Sequence, residues 1–151
     1  MKIQPFVLSV IGMVVIIISS ISTLSAQEKT TAELLQGKVW VMQFPDKVDF
    51  SFEVKFIANE YITIYTFEGK EYKTQDSCYL SNEEDCTFDK QKVGHLENGK
   101  YIIVNRVVKS PEKGSYNKIT IFEILKLTDT ELQLKNLRNN SILPYKSEEP
   151  G

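Results

Sequence analysis

From Lys38 onward the chain alternates with period two, strand after strand, and its connections are almost all hairpin-short. That pattern leaves few folds open. In Asp49-Phe-Ser-Phe-Glu-Val-Lys-Phe56, the side chains of Phe50, Phe52, Val54 and Phe56 share one face and Ser51, Glu53 and Lys55 the other. This is the signature of a half-buried antiparallel strand. Ala58-Asn59-Glu60 turns the chain, and Tyr61-Ile-Thr-Ile-Tyr-Thr-Phe67 returns. Glu68-Gly69-Lys70 turns it again into a short strand, Glu71–Thr74, and a short extended piece is expected near Thr87-Phe88. Glu97-Asn98-Gly99-Lys100 reads as a hairpin, because Asn-Gly tolerates the positive φ that tight hairpin turns demand. Two longer strands, Tyr101–Val108 and Asn117–Leu127, flank a polar loop, and a turn at Thr128–Thr130 leads to Glu131–Lys135. Pairing Leu125 with Leu132 and Glu123 with Leu134 sets Lys126 against Glu131 and satisfies both faces. One extended piece around Ile142–Tyr145 precedes a loose tail, 147–151.

The only helical candidate is Thr30–Gln36, stopped by Gly37, with Thr30 and Glu33 at capping-box spacing. About eight strands with no long crossover predict an all-β, antiparallel up-and-down barrel. Closure is the arrangement that removes sheet edges, and a two-sheet sandwich is the alternative.

Residues 1–26 are expected to lie outside this domain, which then occupies 27–146. Lys2 supplies a positive start, Phe6–Ile18 an apolar core of 13 residues, and small residues follow to Ala26. This is the order of a secretory signal peptide, cleaved after Ala26 or after Ser25. The apolar run is short of the roughly 20 residues a spanning helix needs, so no membrane span is expected after cleavage, with a retained anchor as the rival reading. The expected location is periplasmic or secreted. All 20 Asp and Glu but 17 of the 18 Lys and Arg lie beyond residue 26, giving the exported chain a net charge of −3. With both signs interleaved and no basic stripe, neither nucleic acid nor a polybasic membrane contact is expected.

Export also bears on Asp76–Asp89, "DSCYLSNEEDCTFD", which holds the only two cysteines. An oxidising compartment permits a disulfide, and Cys78 and Cys86 are read as one bridge stapling a turn. So short a loop would gain roughly 2–3 kcal/mol. One histidine, His95, and no C-x-x-C argue against zinc, and the contiguous Glu83-Glu84-Asp85 lacks calcium-loop spacing, so no metal is expected.

Three stretches carry a resemblance: Leu34-Leu35-Gln36-Gly37-Lys38-Val39-Trp40, Glu97–Val104 ("ENGKYIIV") and Ile119–Asn136 ("ITIFEILKLTDTELQLKN"). Together they resemble the lipocalin-like domains of small exported Bacteroidetes proteins, most of them uncharacterised. The opening departs from the lipocalin G-x-W, since Trp40 follows Gly37 by three. The resemblance implies an up-and-down barrel with an apolar pocket, and it carries no particular substrate.

No nucleophile–base set, phosphate loop or metalloprotease motif is present, so catalysis and a cofactor are not expected. The informative residues are polar ones on apolar faces. Glu123 interrupts Ile119, Ile121, Leu125 and Leu127. Arg106 shares a face with Ile102, Val104 and Val108, and Asn105 shares the other with Tyr101, Ile103 and Val107, so one of the two must point inward. An interior Arg106–Glu123 pair would hold a carboxylate or phosphate head group, with Trp40, Phe50, Phe52, Phe56 and aromatics of Tyr61–Phe67 as apolar walls. The alternatives are a pair at a solvated mouth, or Asn105 inward and Arg106 outward. The leading expectation is therefore a binder of a small apolar or amphipathic ligand. The second is a protein-binding module, of inhibitor or immunity type, acting through the stapled acidic loop and its tip Glu83, Glu84 and Asp85.

Overall fold

The computed structural model describes residues 28–148. The expected signal peptide and residues 149–151 lie outside them. A short helix α1 (Thr31–Leu35) precedes β1 (Val39–Met42), β2 (Phe50–Ile57), β3 (Glu60–Phe67) and β4 (Lys70–Ser81). A long connection holding one 3-10 turn (Lys90–Lys92) leads to β5 (Tyr101–Ser110), β6 (Gly114–Leu127), β7 (Glu131–Asn136) and β8 (Ser141–Glu148). Every strand pairs antiparallel with the next, and β8 pairs with β1, closing an eight-stranded barrel. The expected barrel is therefore the fold. The final strand belongs to it: β8 runs through Glu148, two residues past the expected domain end, because Ser147 and Glu148 pair with Trp40 and Val39.

Local signals explain much of this. The β2 alternation buries Val54 and Phe56 inside, with Phe52 packed against the same core. The two-residue turn at Glu68-Gly69 takes positive φ at both positions (50° and 74°), the twist a tight hairpin requires. Thr30 Oγ1 accepts from Glu33 N at 3.2 Å while Glu33 Oε2 accepts from Thr30 N at 2.8 Å, so the capping box forms and starts α1.

That helix closes one end of the barrel. Its last residue Leu35 is buried, as is Trp40 of β1, whose Nε1 donates to the Leu35 carbonyl at 3.0 Å. The other end, where β1–β2, β3–β4, β5–β6 and β7–β8 are joined, is open.

Four expectations are corrected. Cys78 and Cys86 are free thiols. β4 is longer than the expected Glu71–Thr74 and carries Cys78 inward opposite Val104, into the core, while Cys86 sits exposed in the following loop. One thiol faces the barrel interior and the other faces solvent, so no staple forms. Asn98-Gly99 is not a hairpin turn but the end of the 82–100 connection. Asn98 Oδ1 accepts from Thr31 N at 2.9 Å and anchors α1. Gly99 allows close approach to β4, since a Cβ there would lie 3.0 Å from Ser81 N and O. Thr87-Phe88 is not a strand; Phe88 packs on Tyr79, ring centroids 5.0 Å apart.

The fourth correction is the β6–β7 register. Ile124 pairs with Leu134 and Leu127 with Leu132, with a bulge between Ile124 and Lys126. Leu125 is the extra residue and points outward, 42% exposed. Lys126 still reaches Glu131. Before the bulge the inward residue of β6 is Phe122, buried in the core, while Ile119 and Ile121 pack outside against Tyr79, Tyr101 and Ile103. The 82–100 connection covers that outer patch through Phe88 and Val93. Both faces of β5 and β6 are therefore apolar, and alternation cannot tell in from out.

Candidate functional site

The open end leads into a cavity of about 230 Å³ bounded by β2 to β7. Its walls are Phe52, Tyr65, Val104 and Thr120, with Tyr61 and Phe122 among its buried lining. Tyr61 and Phe122 lie against each other, ring centroids 5.8 Å apart. Thr63 and Asn136 also line this space, and three charged side chains, Arg106, Asp76 and Lys118, project into it with Thr74 beside them.

The strand ladder explains how the charges meet. β4 and β5 pair from Ser81↔Tyr101 to Ser77↔Asn105, where their ladder ends. The next residues on the inner faces are Asp76 and Arg106, and their side chains join the two strands where the ladder stops. Arg106 Nε donates to Asp76 Oδ2 at 2.9 Å and Oδ1 at 3.2 Å, and Nη2 donates to Oδ2 at 2.6 Å and to Thr74 Oγ1 at 3.0 Å. Such charge-assisted contacts are about twice as strong as neutral ones. The Asp76 side chain is 5% exposed and that of Arg106 42%. The bound carboxylate raises the pKa of the guanidinium, which stays cationic. Arg106 Nη1 has no hydrogen-bond partner among the described residues, so one edge of the fork is open to the cavity and its mouth.

Beneath this pair lie two more buried hydroxyls. Burial pushes the Tyr61 phenol up to about 12. The Tyr145 phenol is raised further by burial and by Tyr61, close beside it. Tyr145 Oη is buried with no partner among the described residues. Burial likewise pushes the Cys78 thiol up to about 12, which leaves it protonated and unreactive.

Of the sequence-predicted site residues, Arg106 and Phe52 line the cavity. Phe50 stands at its rim, packed on Phe44 and Tyr65 at 5.7 and 6.2 Å. Phe56 and Trp40 are core residues of the closed end. Glu123 is not inside. It lies opposite Tyr101 on the outer face and pairs with Lys100 at 3.0 Å, so the expected Arg106–Glu123 pair does not exist. Asn105 faces outward, its Oδ1 buried without a partner in a surface groove beside Phe88 and Val93. Asp76, Thr74 and Lys118 were missed. Asp76 had a signal: Tyr72, Thr74, Asp76, Cys78 and Leu80 form one alternating face once β4 is extended through the cysteine.

The acidic loop is organised around itself. Asp85 accepts from Tyr79 Oη at 3.0 Å and Ser81 Oγ at 3.1 Å and binds Lys92 at 2.9 Å, and these contacts lower its pKa, Lys92 first. Glu84 accepts from Tyr101 Oη at 3.3 Å. Two of the three tip carboxylates, Glu84 and Asp85, thus hold the loop against the barrel. A second void, of about 50 Å³ beside α1, is lined largely by apolar side chains and by no charged one, and is too small for a ligand of ordinary size. Among the described residues no His, Cys, Asp and Glu cluster could hold a metal ion, and no helix is long and apolar enough to cross a membrane. Comparison with family models, with curated proteins and with solved structures finds no match.

Proposed function

We propose that the barrel binds a small amphipathic molecule with an anionic head, held by the free edge of Arg106 and by Lys118, its apolar part lying on Phe52, Tyr65 and Phe122. The observation that carries this reading is a guanidinium set beside an aromatic wall in a cavity of mixed lining, with one edge uncommitted. Arg106 and Lys118 outnumber Asp76, so the cavity is net cationic. A planar fork suits a carboxylate or phosphate group. The volume, about 230 Å³, lies just under the roughly 300–1,000 Å³ of most ligand pockets. A short-chain or single-ring acid fits it better than a long lipid. The resemblance to lipocalin-like domains and the expected export signal agree with a carrier or scavenger outside the cytoplasm, and binding, not turnover, is its role. With Asp85 and Glu84 engaged by Lys92 and by Tyr79, Ser81 and Tyr101 of the barrel strands, the geometry favours this reading over a protein-binding acidic tip.

The test is native mass spectrometry and calorimetry of the exported protein with a panel of small aromatic and aliphatic carboxylates. The variant is Arg106→Gln with Asp76→Asn, which removes the grip without stranding a buried carboxylate. Binding of an acid but not its amide, lost in the double variant, is the expected result. Equal binding of acid and amide, or no loss in the variant, refutes it.

A further inference from the structure

The open end has a second property that the cavity does not use. Of the nine exposed large apolar side chains among the described residues, five lie at that end: Val48, Phe67, Tyr72, Tyr116 and Ile142. Phe67, Tyr72 and Tyr116 are 51%, 43% and 44% exposed. They sit on two projecting ribbons. The β3–β4 hairpin runs past the end of the β4–β5 ladder, and Tyr72 stacks on Tyr65 there at 4.9 Å and 10°. The β5–β6 hairpin pairs within itself from Tyr101↔Glu123 to Ser110↔Gly114, well beyond Phe122↔Asn136, the last β6–β7 pair. Its outer half carries Tyr116 and the tip lysines Lys109 and Lys113.

Charge follows the same polarity. Leaving out Arg106 and Lys118, which line the cavity, the four stretches forming this end, 43–50, 66–74, 106–118 and 135–142, hold seven Lys and Arg against five Asp and Glu, in a chain whose net charge is −2. The sequence has no basic run; the topology gathers cations from four separate segments. Exposed apolar groups clustered at one end mark an interaction site. Aromatic side chains with Lys and Arg among them suit the boundary between water and an anionic bilayer, where rings lodge at headgroup depth and cations meet lipid phosphates.

We propose that the protein docks mouth-first on an anionic lipid surface, with Phe67, Tyr72 and Tyr116 entering the headgroup layer and the ribbon lysines supplying the attraction. This goes beyond cargo binding and does not depend on it, because the docking residues lie outside the cavity's cationic grip. Docked this way, the cavity mouth faces the bilayer, and an amphipathic acid passes between lipid and barrel without crossing open water.

The test is co-sedimentation of the exported protein with vesicles of phosphatidylglycerol and phosphatidylcholine in equal parts, and with phosphatidylcholine alone. Two variants accompany it, Phe67→Ser with Tyr116→Ser, and Lys109→Glu with Lys113→Glu, each checked for fold by circular dichroism. The expected result is partitioning onto the anionic vesicles only, released by high salt as screening requires. The lysine variant should lose at least about 25-fold, since each cation contributes roughly fivefold near such a surface. The charge variant alters only exposed tip residues, so it decides the matter even if the aromatic variant does not fold. Wild-type protein that stays off anionic vesicles, or a charge variant that binds as wild type does, overturns the proposal. A wild-type dimer that Phe67→Ser with Tyr116→Ser makes monomeric, without vesicle binding, would assign the rim to self-association and overturn it equally.

Discussion

Replacing Arg106 by Gln should cost this protein about 2 kcal/mol of stability, and the reason lies in where the β4–β5 ladder stops. Beyond Ser77↔Asn105 no ladder pair joins the two strands, and the Arg106 fork on Asp76 and Thr74 takes its place. Gln removes all four contacts and leaves the Asp76 carboxylate, 5% exposed, without its cation. Stranding one charge of a fully buried pair costs about 3–5 kcal/mol. Exposed pairs are worth about 0–1 kcal/mol. With Arg106 42% exposed, water reaches the pair from the mouth, and a value near the middle, about 2 kcal/mol, follows. Asp76→Asn keeps the shape and removes the charge, so it should cost about 1 kcal/mol, mostly weakened hydrogen bonds. The double variant strands nothing and should lose much less than the two singles added, a coupling of about 1–2 kcal/mol. Urea unfolding of the four proteins, with unchanged denaturant slopes, reads this directly. A coupling below about 0.5 kcal/mol would mean the pair is screened like any surface pair, and that the strands are held together by something else.

Two further outcomes follow from the interior. In the native protein a thiol reagent should label Cys86 alone, with Cys78 reacting only after unfolding; an intact mass two hydrogen atoms short of the reduced chain would restore the staple. The buried phenol of Tyr61 and thiol of Cys78, each pushed up to about 12, are held neutral by the fold. A folded pKa raised above the unfolded one means that this stabilisation is complete below the ordinary values, about 8.5 for Cys and 10 for Tyr. It is lost as pH climbs through that range to about 12. Alkaline unfolding should therefore coincide with the last step of phenolate absorbance, and a smooth titration of all tyrosines in the native state would contradict the burial.

Barrel class, the inward face of β2, the tight turn at Glu68-Gly69 and the start of α1 were legible in the residues themselves. Each depends on neighbours in sequence: alternation along one strand, a backbone that tolerates positive φ, a side chain capping its own helix. Arg106 was legible too, as one of two polar residues of which one had to face in. Its partner was not. Asp76 and Glu123 are equivalent acids on paper, and the choice turned on which face of β6 looks inward. Local pattern could not answer that, because Ile119 and Ile121 are as apolar as Phe122 and are buried outside the barrel by the 82–100 connection. The bulge at Leu125 compounds the problem by shifting the pattern within one strand. Cys78 and Asn98-Gly99 followed the same rule. Their neighbours suggested a staple and a hairpin, and contacts made from distant parts of the chain gave one to the core and the other to α1. Alternation determines that strands form and that a sheet must close. Which face is inside, and which charges meet there, is decided by what covers the other face, and that cover arrives from elsewhere in the chain.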